Sequence, residues 1–413
     1  MALFRNGNSL VWARRRALRW SLFALAACAA MNIYHYSLQG AKGLYLWDKT
    51  WLFRLLILMG LFPLGLLAIS LPLEKLKYKF HSKIMRGFSL IASFLVSLAS
   101  LGILAFLIAT PRMGTMRQSE ISLVNPSIRL ELPKRAGESD VALLRLSVGS
   151  DPHWGTEKTD ASARSNILAS VAEHRPDIFF ILGDVVETGS SVSSWNAALA
   201  DLSAIVPKVP LRPLMGNHDA LFGGQHLYKK AFFPEDFSSD SGSPYYYSIE
   251  TSAATLVVLN LPWGTENFNK TQRDWLESVL SIANPLKPLI VFSHSFYFAS
   301  GYDDPKLDKP WYDHYQNIPV VTPLFERYGV DLVVSGHNHY MEYLEHRGVR
   351  YAIVGAMGSK SDPAPTIVSP ASKWIAVATF GHLNIDVLKH EIVLEFKDQL
   401  GKTLHEERFR YLP

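Results

Sequence analysis

The sequence contains almost no cysteine. Its 413 residues include one, Cys28, which lies in an apolar stretch near the N-terminus. Because no cysteine follows it, the remaining chain can form no internal disulfide and can bind no metal through thiolates. A metal site in that part must therefore use imidazole, carboxylate or amide ligands.

Acidic residues are scarce in the first quarter of the chain. Residues 1–111 contain 13 Lys and Arg but only 2 Asp and Glu, whereas the remainder contains 28 against 35. The net charge of +4 thus combines a basic N-terminal region with a mildly acidic remainder. An acidic domain does not attract a phosphate backbone, so we do not expect nucleic acid as a partner.

Two N-terminal stretches lack charged residues altogether. They are residues 55–73 and 88–110, which are 19 and 23 residues long, and a bilayer-spanning helix needs roughly 20. A third stretch, 20–36, has 17 residues and includes Asn32 and His35. We interpret residues 1–112 as an all-α membrane region with three transmembrane helices. Buried core helices are the alternative, and the uncharged lengths disfavour it.

Basic residues flank these stretches unevenly. They precede the first stretch and separate the second from the third, at Arg5, Arg14, Arg15, Arg16, Arg19, Lys75, Lys77, Lys79, Lys83 and Arg86. The positive-inside rule makes both segments cytoplasmic. We therefore expect a multi-pass protein of the cell (inner) membrane, with a cytoplasmic N-terminus and a periplasmic or extracellular domain after the third span.

Residues 25–28, Leu-Ala-Ala-Cys, also fit a bacterial lipobox that would lipidate Cys28. We favour an ordinary helix, since two further spans make a lipid anchor redundant.

The soluble part begins with a tether at residues 113–140, which contains one predicted short strand at 127–132. The domain proper covers 141–413. Five apolar runs rich in β-branched residues follow, at 141–148, 177–182, 209–215, 288–292 and 330–334. Helical spacing is found at 161–174, 269–280 and 321–328. This alternation predicts a largely parallel central sheet, with ligands bound beyond the carboxyl ends of its strands.

Each of the five runs ends in residues that commonly bind metals. The five clusters are Asp151-Pro152-His153, Gly183-Asp184, Gly216-Asn217-His218-Asp219, Ser293-His294 and Gly336-His337-Asn338-His339. Carboxylate, imidazole and amide groups suit Mn, Fe or Zn. Alternate side chains at a strand end can reach two neighbouring ions, and a single carboxylate can bridge them. Two such ions suit the hydrolysis of a phosphate ester.

The order of these motifs resembles that of the calcineurin-like metallophosphoesterases. The resemblance covers residues 141–339 and implies a four-layer α/β/β/α sandwich. One ion would be bound by Asp151, His153, Asp184 and His339, and the other by Asp184, Asn217, His294 and His337. The resemblance also implies that His218 assists the leaving group, that Asp219 pairs with His218, and that a hydroxide between the two ions attacks the phosphate.

A second sheet is predicted from five further strands, at residues 245–249, 255–259, 381–386, 391–396 and 404–411. Two stretches resemble the purple acid phosphatase branch, residues 243–248 (Ser-Pro-Tyr-Tyr-Tyr-Ser) and 336–340 (Gly-His-Asn-His-Tyr). That branch has a metal-binding tyrosine three residues after the Gly-Asp aspartate. Glu187 stands at that position here. We therefore do not expect an iron–tyrosine centre.

Two further features bear on the substrate. Residues 296–315 are rich in aromatic side chains, which either line the pocket or pack on one another, and Arg164 either contacts a phosphate or begins a helix. The leading hypothesis is a membrane-anchored phosphoesterase acting outside the cytoplasm, with a lipid or lipid-linked phosphate as a candidate substrate. The alternatives are a non-catalytic receptor or transporter accessory protein, and a channel or transporter. A non-catalytic protein would be expected to lack a metal ligand, and none of the predicted ligands is missing. A channel or transporter would be expected to have ionisable residues within its spans, and these spans hold few.

Overall fold

A computed structural model describes residues 141–205, 209–221, 224–303 and 316–411, together with residues 19, 124–125 and 132–133. The chain divides into two units, Met1–Arg112 and Met113–Pro413. The predicted spans at 20–36, 55–73 and 88–110, and the predicted strand residues 127–131, lie outside the described residues. Among the residues described, no helix has the length and apolarity needed to cross a bilayer.

Within the described ranges, six strands form the first sheet. They are β1 (Leu144–Gly149), β2 (Ile178–Ile181), β3 (Leu211–Pro213), β11 (Gly381–Val387), β12 (Glu391–Asp398) and β13 (Thr403–Arg410). Their order across the sheet is β13-β12-β11-β1-β2-β3. The first three strands are mutually parallel, and the last three are antiparallel to their neighbours.

Seven described strands form the second sheet. They are β4 (Tyr247–Glu250), β5 (Thr255–Val258), β6 (Leu289–Ser293), β7 (Leu332–Ser335), β8 (Met341–His346), β9 (Val349–Ile353) and β10 (Ser372–Ala376). Their order is β10-β8-β9-β7-β6-β5-β4. Strands β5, β6, β7 and β9 are parallel, and β4 forms the predicted antiparallel pair with β5.

The prediction of one largely parallel central sheet is wrong. Of the five motif-bearing strands, β1, β2 and β3 lie in the first sheet, while β6 and β7 lie in the second. The C-terminal strands were expected in the second sheet, but β11 pairs with β1 in the first. Leu144 and Leu146 of β1 lie opposite Val387 and Ile385. This register places alternating apolar residues of both strands on one buried face.

Six helices connect the described strands: α1 (Ala161–His174), α2 (Val192–Ser203), α3 (Asn217–Ala220), α4 (Gln225–Phe232), α5 (Lys270–Ile282) and α6 (Asn317–Tyr328). The side chain of Asp160 caps α1 by accepting a hydrogen bond from the Ala163 N–H. Asn269 caps α5 in the same way through Gln272. Helices α1, α5 and α6 match predicted segments, whereas α2 and α4 were not predicted.

Residues of the second sheet alternate between two cores. Leu256, Ile290 and Leu332 belong to a core shared with the first sheet. Their neighbours Val257 and Val291 pack instead with α5 and α6 in a second core. Because each sheet also packs on helices, the predicted mixed α/β architecture with two sheets is confirmed.

The motif-bearing loops are tied to one another by backbone hydrogen bonds. The N–H groups of Asp151 and His153 donate to the carbonyls of Gly183 and Asp184, at 3.1 and 3.0 Å. The Gly336 N–H donates to the carbonyl of His294 at 3.0 Å. These bonds join the loops within each sheet, and the hydrogen bond from the His337 N–H to Asp151 Oδ2, at 2.9 Å, joins the loops of the two sheets.

Candidate metal centre

The structure brings all seven predicted ligands together at the carboxyl ends of β1, β2, β3, β6 and β7. Their side-chain atoms form two clusters with metal-binding geometry, Asp151–His153–His339 and Asp184–His294–His337. The assignment of individual ligands to one ion or the other stays a prediction, but none of the seven predicted residues lies away from the site.

The first cluster is centred on Asp151 and two imidazoles. The Oδ1 atom of Asp151 lies 3.4 Å from His339 Nε2 and 3.9 Å from His153 Nε2. His153 Nε2 lies in turn 3.5 Å from Asp184 Oδ2. Four ligand atoms thus converge from three different loops.

The second cluster is tighter. Asn217 Oδ1 lies 3.0 Å from both His294 Nε2 and His337 Nδ1, and those two nitrogens are 3.1 Å apart. Asp184 Oδ1 lies 3.5 Å from His294 Nε2.

Asp184 is the residue common to both clusters. Its Oδ2 lies near His153 and its Oδ1 near His294, so each oxygen of one carboxylate faces a different cluster. Its side chain is almost fully buried, and Oδ1 also accepts a hydrogen bond from the His218 N–H at 2.8 Å. This position suits the bridging role predicted for Asp184, and the role itself stays a prediction.

The ligand loops use a costly backbone conformation. Asp151, His153, Asp184 and His337 have φ between 45° and 70°, the left-handed region that non-glycine residues seldom occupy. Such conformations persist where the surrounding structure imposes them, and they cluster at functional sites.

Glycines beside the ligands permit close approach of the loops. A Cβ on Gly336 would lie 1.9 Å from Ser150 Oγ and 2.9 Å from Asp151 Oδ2. A Cβ on Gly216 would lie 2.1 Å from Asp184 Oδ1. All three distances are shorter than the closest approach of a Cβ atom to a non-bonded atom, so the motifs need glycine at these positions.

The donor set fits divalent or mixed-valence metal ions. Among the described side chains, Asp151 Oδ1 and His153 Nε2 are buried without a hydrogen-bond partner. Buried polar atoms are almost always paired, so two such orphans facing each other mark a place for a cation. Nitrogen and oxygen donors without thiolate suit Mn, Fe or Zn.

Electrostatics in the site also favour a cation. Burial raises the pKa of Asp184, and the charge of Asp151 raises it further. Burial would likewise raise the pKa of Asp151, but its interactions with His339, His294 and His153 together outweigh this and lower it. Burial lowers the pKa of His294 to about 3, which leaves its nitrogens neutral and able to donate to a metal.

Three histidines of the site are oriented by backbone carbonyls. The Nδ1 atoms of His218, His294 and His339 lie 2.6–2.7 Å from the carbonyl oxygens of Glu187, Leu182 and Lys360. A carbonyl only accepts, so each Nδ1 carries the proton and each Nε2 is left for a metal or a substrate.

The predicted pairing of Asp219 with His218 is wrong. Asp219 is fully buried, and its two oxygens accept hydrogen bonds from the N–H groups of Val186 and Gly216, at 3.0 and 2.9 Å. His218 binds the carbonyl of Glu187 instead. The two side chains diverge because α3 begins at Asn217, and position 219 turns back onto the residue that precedes the helix.

The sequence leaves two roles open for Arg164, a contact with a phosphate or the start of a helix. Arg164 is buried in α1, where it donates to the carbonyl of Pro152 at 3.0 Å and lies over the ring of Trp154. It therefore supports the loop of the first motif rather than facing the pocket.

The aromatic stretch divides between the two roles considered. Phe296 stacks on the ring of His337, with centroids 6.0 Å apart, and so borders the site. Tyr297 and Phe298 contact Tyr351 and belong to the second core. Residues 304–315 lie outside the described part of the chain.

The sequence leaves two roles open for Glu187, a residue that supports a metal ligand or a solvated one, without naming a partner. Its Oε2 atom lies 2.8 Å from His153 Nδ1, and the hydrogen bond with His153 lowers the pKa of the carboxyl. No local pattern could indicate a bond that depends on how the loops after β1 and β2 meet.

The structure thus combines two sheets with two ligand clusters that share one carboxylate. The family model for calcineurin-like phosphoesterases matches residues 144–341. This stretch of the chain is therefore similar to a calcineurin-like phosphoesterase domain. The purple acid phosphatase-like members of this class use two metal ions, drawn from Fe, Mn and Zn.

Comparison with known proteins gives the same class. A purple acid phosphatase from Glycine max is 29% identical over 36% of this chain and 36% of its own length. A protein described as probable inactive purple acid phosphatase 27, from Arabidopsis thaliana, is 20% identical over 56% of this chain and 42% of its own. The chain therefore spans about two fifths or less of the curated relatives that it matches.

The fold also occurs among solved structures. Purple acid phosphatase PPD1 from yellow lupin, Lupinus luteus, superposes with a TM-score of 0.53 and 17% identity, over 65% of this chain and 53% of that one. At this identity the likeness concerns the fold alone.

Proposed function

We propose that this protein is a membrane-anchored dimetal phosphoesterase that hydrolyses a phosphate ester outside the cytoplasm. The observation that carries the hydrolytic part is the position of Asp184, whose two carboxylate oxygens each face one ligand cluster. A carboxylate so placed holds two ions at a short, fixed separation. Such a pair suits in-line displacement at phosphorus, since both the attacking and the leaving oxygen need stabilisation.

The ligands divide the work between them. Asp151, His153 and His339 would hold one ion and Asn217, His294 and His337 the other, with Asp184 common to both. Bound ions would supply Lewis acidity toward the phosphoryl oxygens and would activate water. The protein supplies imidazoles whose ring orientation is set by hydrogen bonds at Nδ1, in His153, His294 and His339.

His218 is the proton donor in this proposal. Its side chain is about one-third exposed, and its ring lies 4.5 Å from that of the ligand His153. Its Nδ1–H donates to the carbonyl of Glu187. When the ring takes up a second proton, that proton lies on Nε2 and can pass to the departing oxygen, which leaves a neutral ring.

The test of hydrolysis uses the purified protein loaded with Mn²⁺. It should cleave an aryl phosphate or a bis-aryl phosphate, and a chelator should abolish the reaction. Asp184→Asn should remove turnover while leaving the circular dichroism spectrum unchanged. His226→Ala is the control, because His226 is exposed on α4 and lies in no motif. Full turnover in Asp184→Asn would falsify the dimetal mechanism.

Membrane anchoring rests on the uncharged stretches 55–73 and 88–110 and on the uneven basic residues around them. A reporter that is active only outside the cytoplasm, fused after Pro413, should be active. The same reporter inserted within residues 74–87 should be silent. The reverse pattern would put the domain in the cytoplasm.

A lipid or lipid-linked phosphate is the substrate class we propose. The segment between the last predicted span and β1 is about 30 residues, which reaches roughly 100 Å at full extension, so the domain works near the bilayer. The partly exposed ring of Trp263 lies 6.0 Å from that of His337 and gives the site an aromatic border, and aromatic rings favour lipid interfaces. Full-length protein in mixed micelles should prefer a lipid phosphate over a soluble aryl phosphate. A preference for the soluble ester would contradict this, provided that it is unaffected by Trp311→Ala, a change within the aromatic stretch 296–315.

The non-catalytic alternative predicts loss of at least one ligand. All seven are present and clustered, so we do not favour it.

A further inference from the structure

The side chain of Glu187 contacts one metal-ligand histidine and its backbone contacts the proton donor. Oε2 lies 2.8 Å from Nδ1 of His153, and the carbonyl oxygen lies 2.7 Å from Nδ1 of His218. The carboxylate itself is 4.0 Å from His218, too far for a hydrogen bond. The two contacts are therefore separable, because a side-chain substitution removes only the first.

His153 differs from His218, His294 and His339 in what holds its ring. Leu182 and Lys360 hold His294 and His339 through neutral carbonyls. A carboxylate holds His153. A hydrogen bond to an ionised acceptor is roughly twice as strong as one to a neutral acceptor. It also raises the donor strength of the opposite ring nitrogen toward a metal.

The opposite nitrogen of His153 points into the first cluster. Nε2 is buried without a hydrogen-bond partner among the described residues. It lies 3.5 Å from Asp184 Oδ2 and 3.9 Å from Asp151 Oδ1. Glu187 thus lies on the Nδ1 side of the imidazole and the clustered ligand atoms on the Nε2 side. The side chains of His153, Glu187 and His218 also lie close enough to hold an ion, but Nδ1 of His218 is bonded to the carbonyl of Glu187. We therefore assign Glu187 a role that acts through His153.

We infer that Glu187 is a positioning residue that sets the occupancy of one metal site and leaves the other unaffected. This deepens the proposed function, since it rests on the same two-ion centre. The carboxylate fixes the Nδ1–H tautomer of His153, holds its ring plane and strengthens Nε2 as a donor. The described contacts of Glu187 are to His153 and His218 and not to the second cluster of Asn217, His294 and His337.

The test measures metal binding directly. Apoprotein is titrated with Mn²⁺ in competition with a chromophoric chelator, and the wild type should show two sites. Glu187→Ala should weaken one site by about 10–100-fold, the usual effect of removing such a partner, and should leave the other unchanged. Glu187→Gln should fall between, because an amide oxygen accepts the same hydrogen bond without charge. Glu157→Gln is the matched control on an exposed neighbouring loop.

Two further measurements separate positioning from loss of fold. Apo Glu187→Ala should keep the circular dichroism spectrum of the apo wild type, with a thermal midpoint lowered only by the lost hydrogen bond to His153. In a His339→Ala background, whose first site is already weakened, Glu187→Ala should cost less than it does alone. With Mn²⁺ in excess, kcat of Glu187→Ala should recover toward the wild type, since the carbonyl contact to His218 remains.

Equal weakening of both sites, or unchanged affinity at both, would overturn the inference. Failure of the proposed function is distinguishable from this. A wild type that binds two ions and hydrolyses no ester would end the phosphoesterase proposal, while the titration would still decide the role of Glu187.

Discussion

The ring of Phe180 lies flat against that of Phe292, with 4.1 Å between the centroids and 12° between the planes. Phe180 belongs to β2 and Phe292 to β6, so this contact joins the two sheets. The two rings precede the predicted metal ligands Asp184 and His294 by four and two residues. Both rings are fully buried.

Phe180→Ala should therefore destabilise the domain strongly. Truncating a buried phenylalanine costs about 3–5 kcal/mol, because the lost contacts are added to a cavity that the sheets cannot close. Chemical denaturation should show this loss, and Phe180→Leu should recover much of it. A loss below about 1 kcal/mol, the scale of an ordinary substitution, would mean that the sheets do not depend on this contact.

His218→Ala should slow turnover by about 10²–10⁴-fold, the range for a lost acid–base group. Both ions should remain bound, since His218 contributes only its backbone N–H to Asp184. Metal content by atomic emission should equal that of the wild type. Loss of an ion from this variant would make His218 a ligand and would remove it as the proton donor.

Asp219→Ala should affect stability more than chemistry. The change leaves the buried N–H groups of Gly216 and Val186 without acceptors, and each unsatisfied group costs about 1–3 kcal/mol. Asp219→Asn keeps one acceptor and should be milder. Turnover per folded molecule should fall less than in His218→Ala. A variant with wild-type stability and a loss of turnover equal to that of His218→Ala would restore the original pairing.

Glycine at position 216 should be irreplaceable. In Gly216→Ala the new methyl group would overlap Asp184 Oδ1, and overpacking of this kind typically costs 1–3 kcal/mol. We expect weaker binding of both ions, since Asp184 faces both clusters. Gly329→Ala is the control without this overlap, because its backbone is left-handed but the space around its Cβ is open. That control should lose stability without losing metal affinity.

His382 should make the fold sensitive to acid. Burial lowers its pKa to about 3, with the charges of His174 and Lys397 acting in the same direction. The unfolded chain takes up this proton near pH 6.5, so stability is complete above that pH and falls as the pH drops toward 3. The slope is about 1.4 kcal/mol per pH unit for one proton.

Urea denaturation of His382→Leu at pH 7 and pH 5 measures this contribution. The difference in stability between the two pH values should be smaller than in the wild type. His390→Leu, at an exposed position, should keep the wild-type difference. An unchanged pH dependence in His382→Leu would assign the acid sensitivity to other groups.

The candidate site could be predicted further than the fold around it. Asp151, Asp184, His294 and His337 lie directly after apolar runs, and a strand end fixes where such a residue emerges. What the sequence could not supply is which sheet each strand joins. The alternation in residues 381–386 fits either sheet, and only the match between Ile385 and Leu146 across β1 decides it.

Contacts made by backbone atoms were equally out of reach. The carbonyl of Glu187 orients His218, and that of Lys360 orients His339, but every residue type has a carbonyl. The expectation that Asp219 would hold His218 followed from their adjacency. Adjacent residues at the start of a helix point in different directions, and this geometry was the stronger constraint.

The left-handed backbone at Asp151, His153, Asp184 and His337 has a consequence for metal exchange. Packing and hydrogen bonds between the loops impose those conformations, so the ligand loops keep their shape without help from the ions. Ions can then leave and be replaced while the chain stays folded. The metal content of the isolated protein would accordingly record which ions were abundant where it last equilibrated, as much as the preference of its ligands.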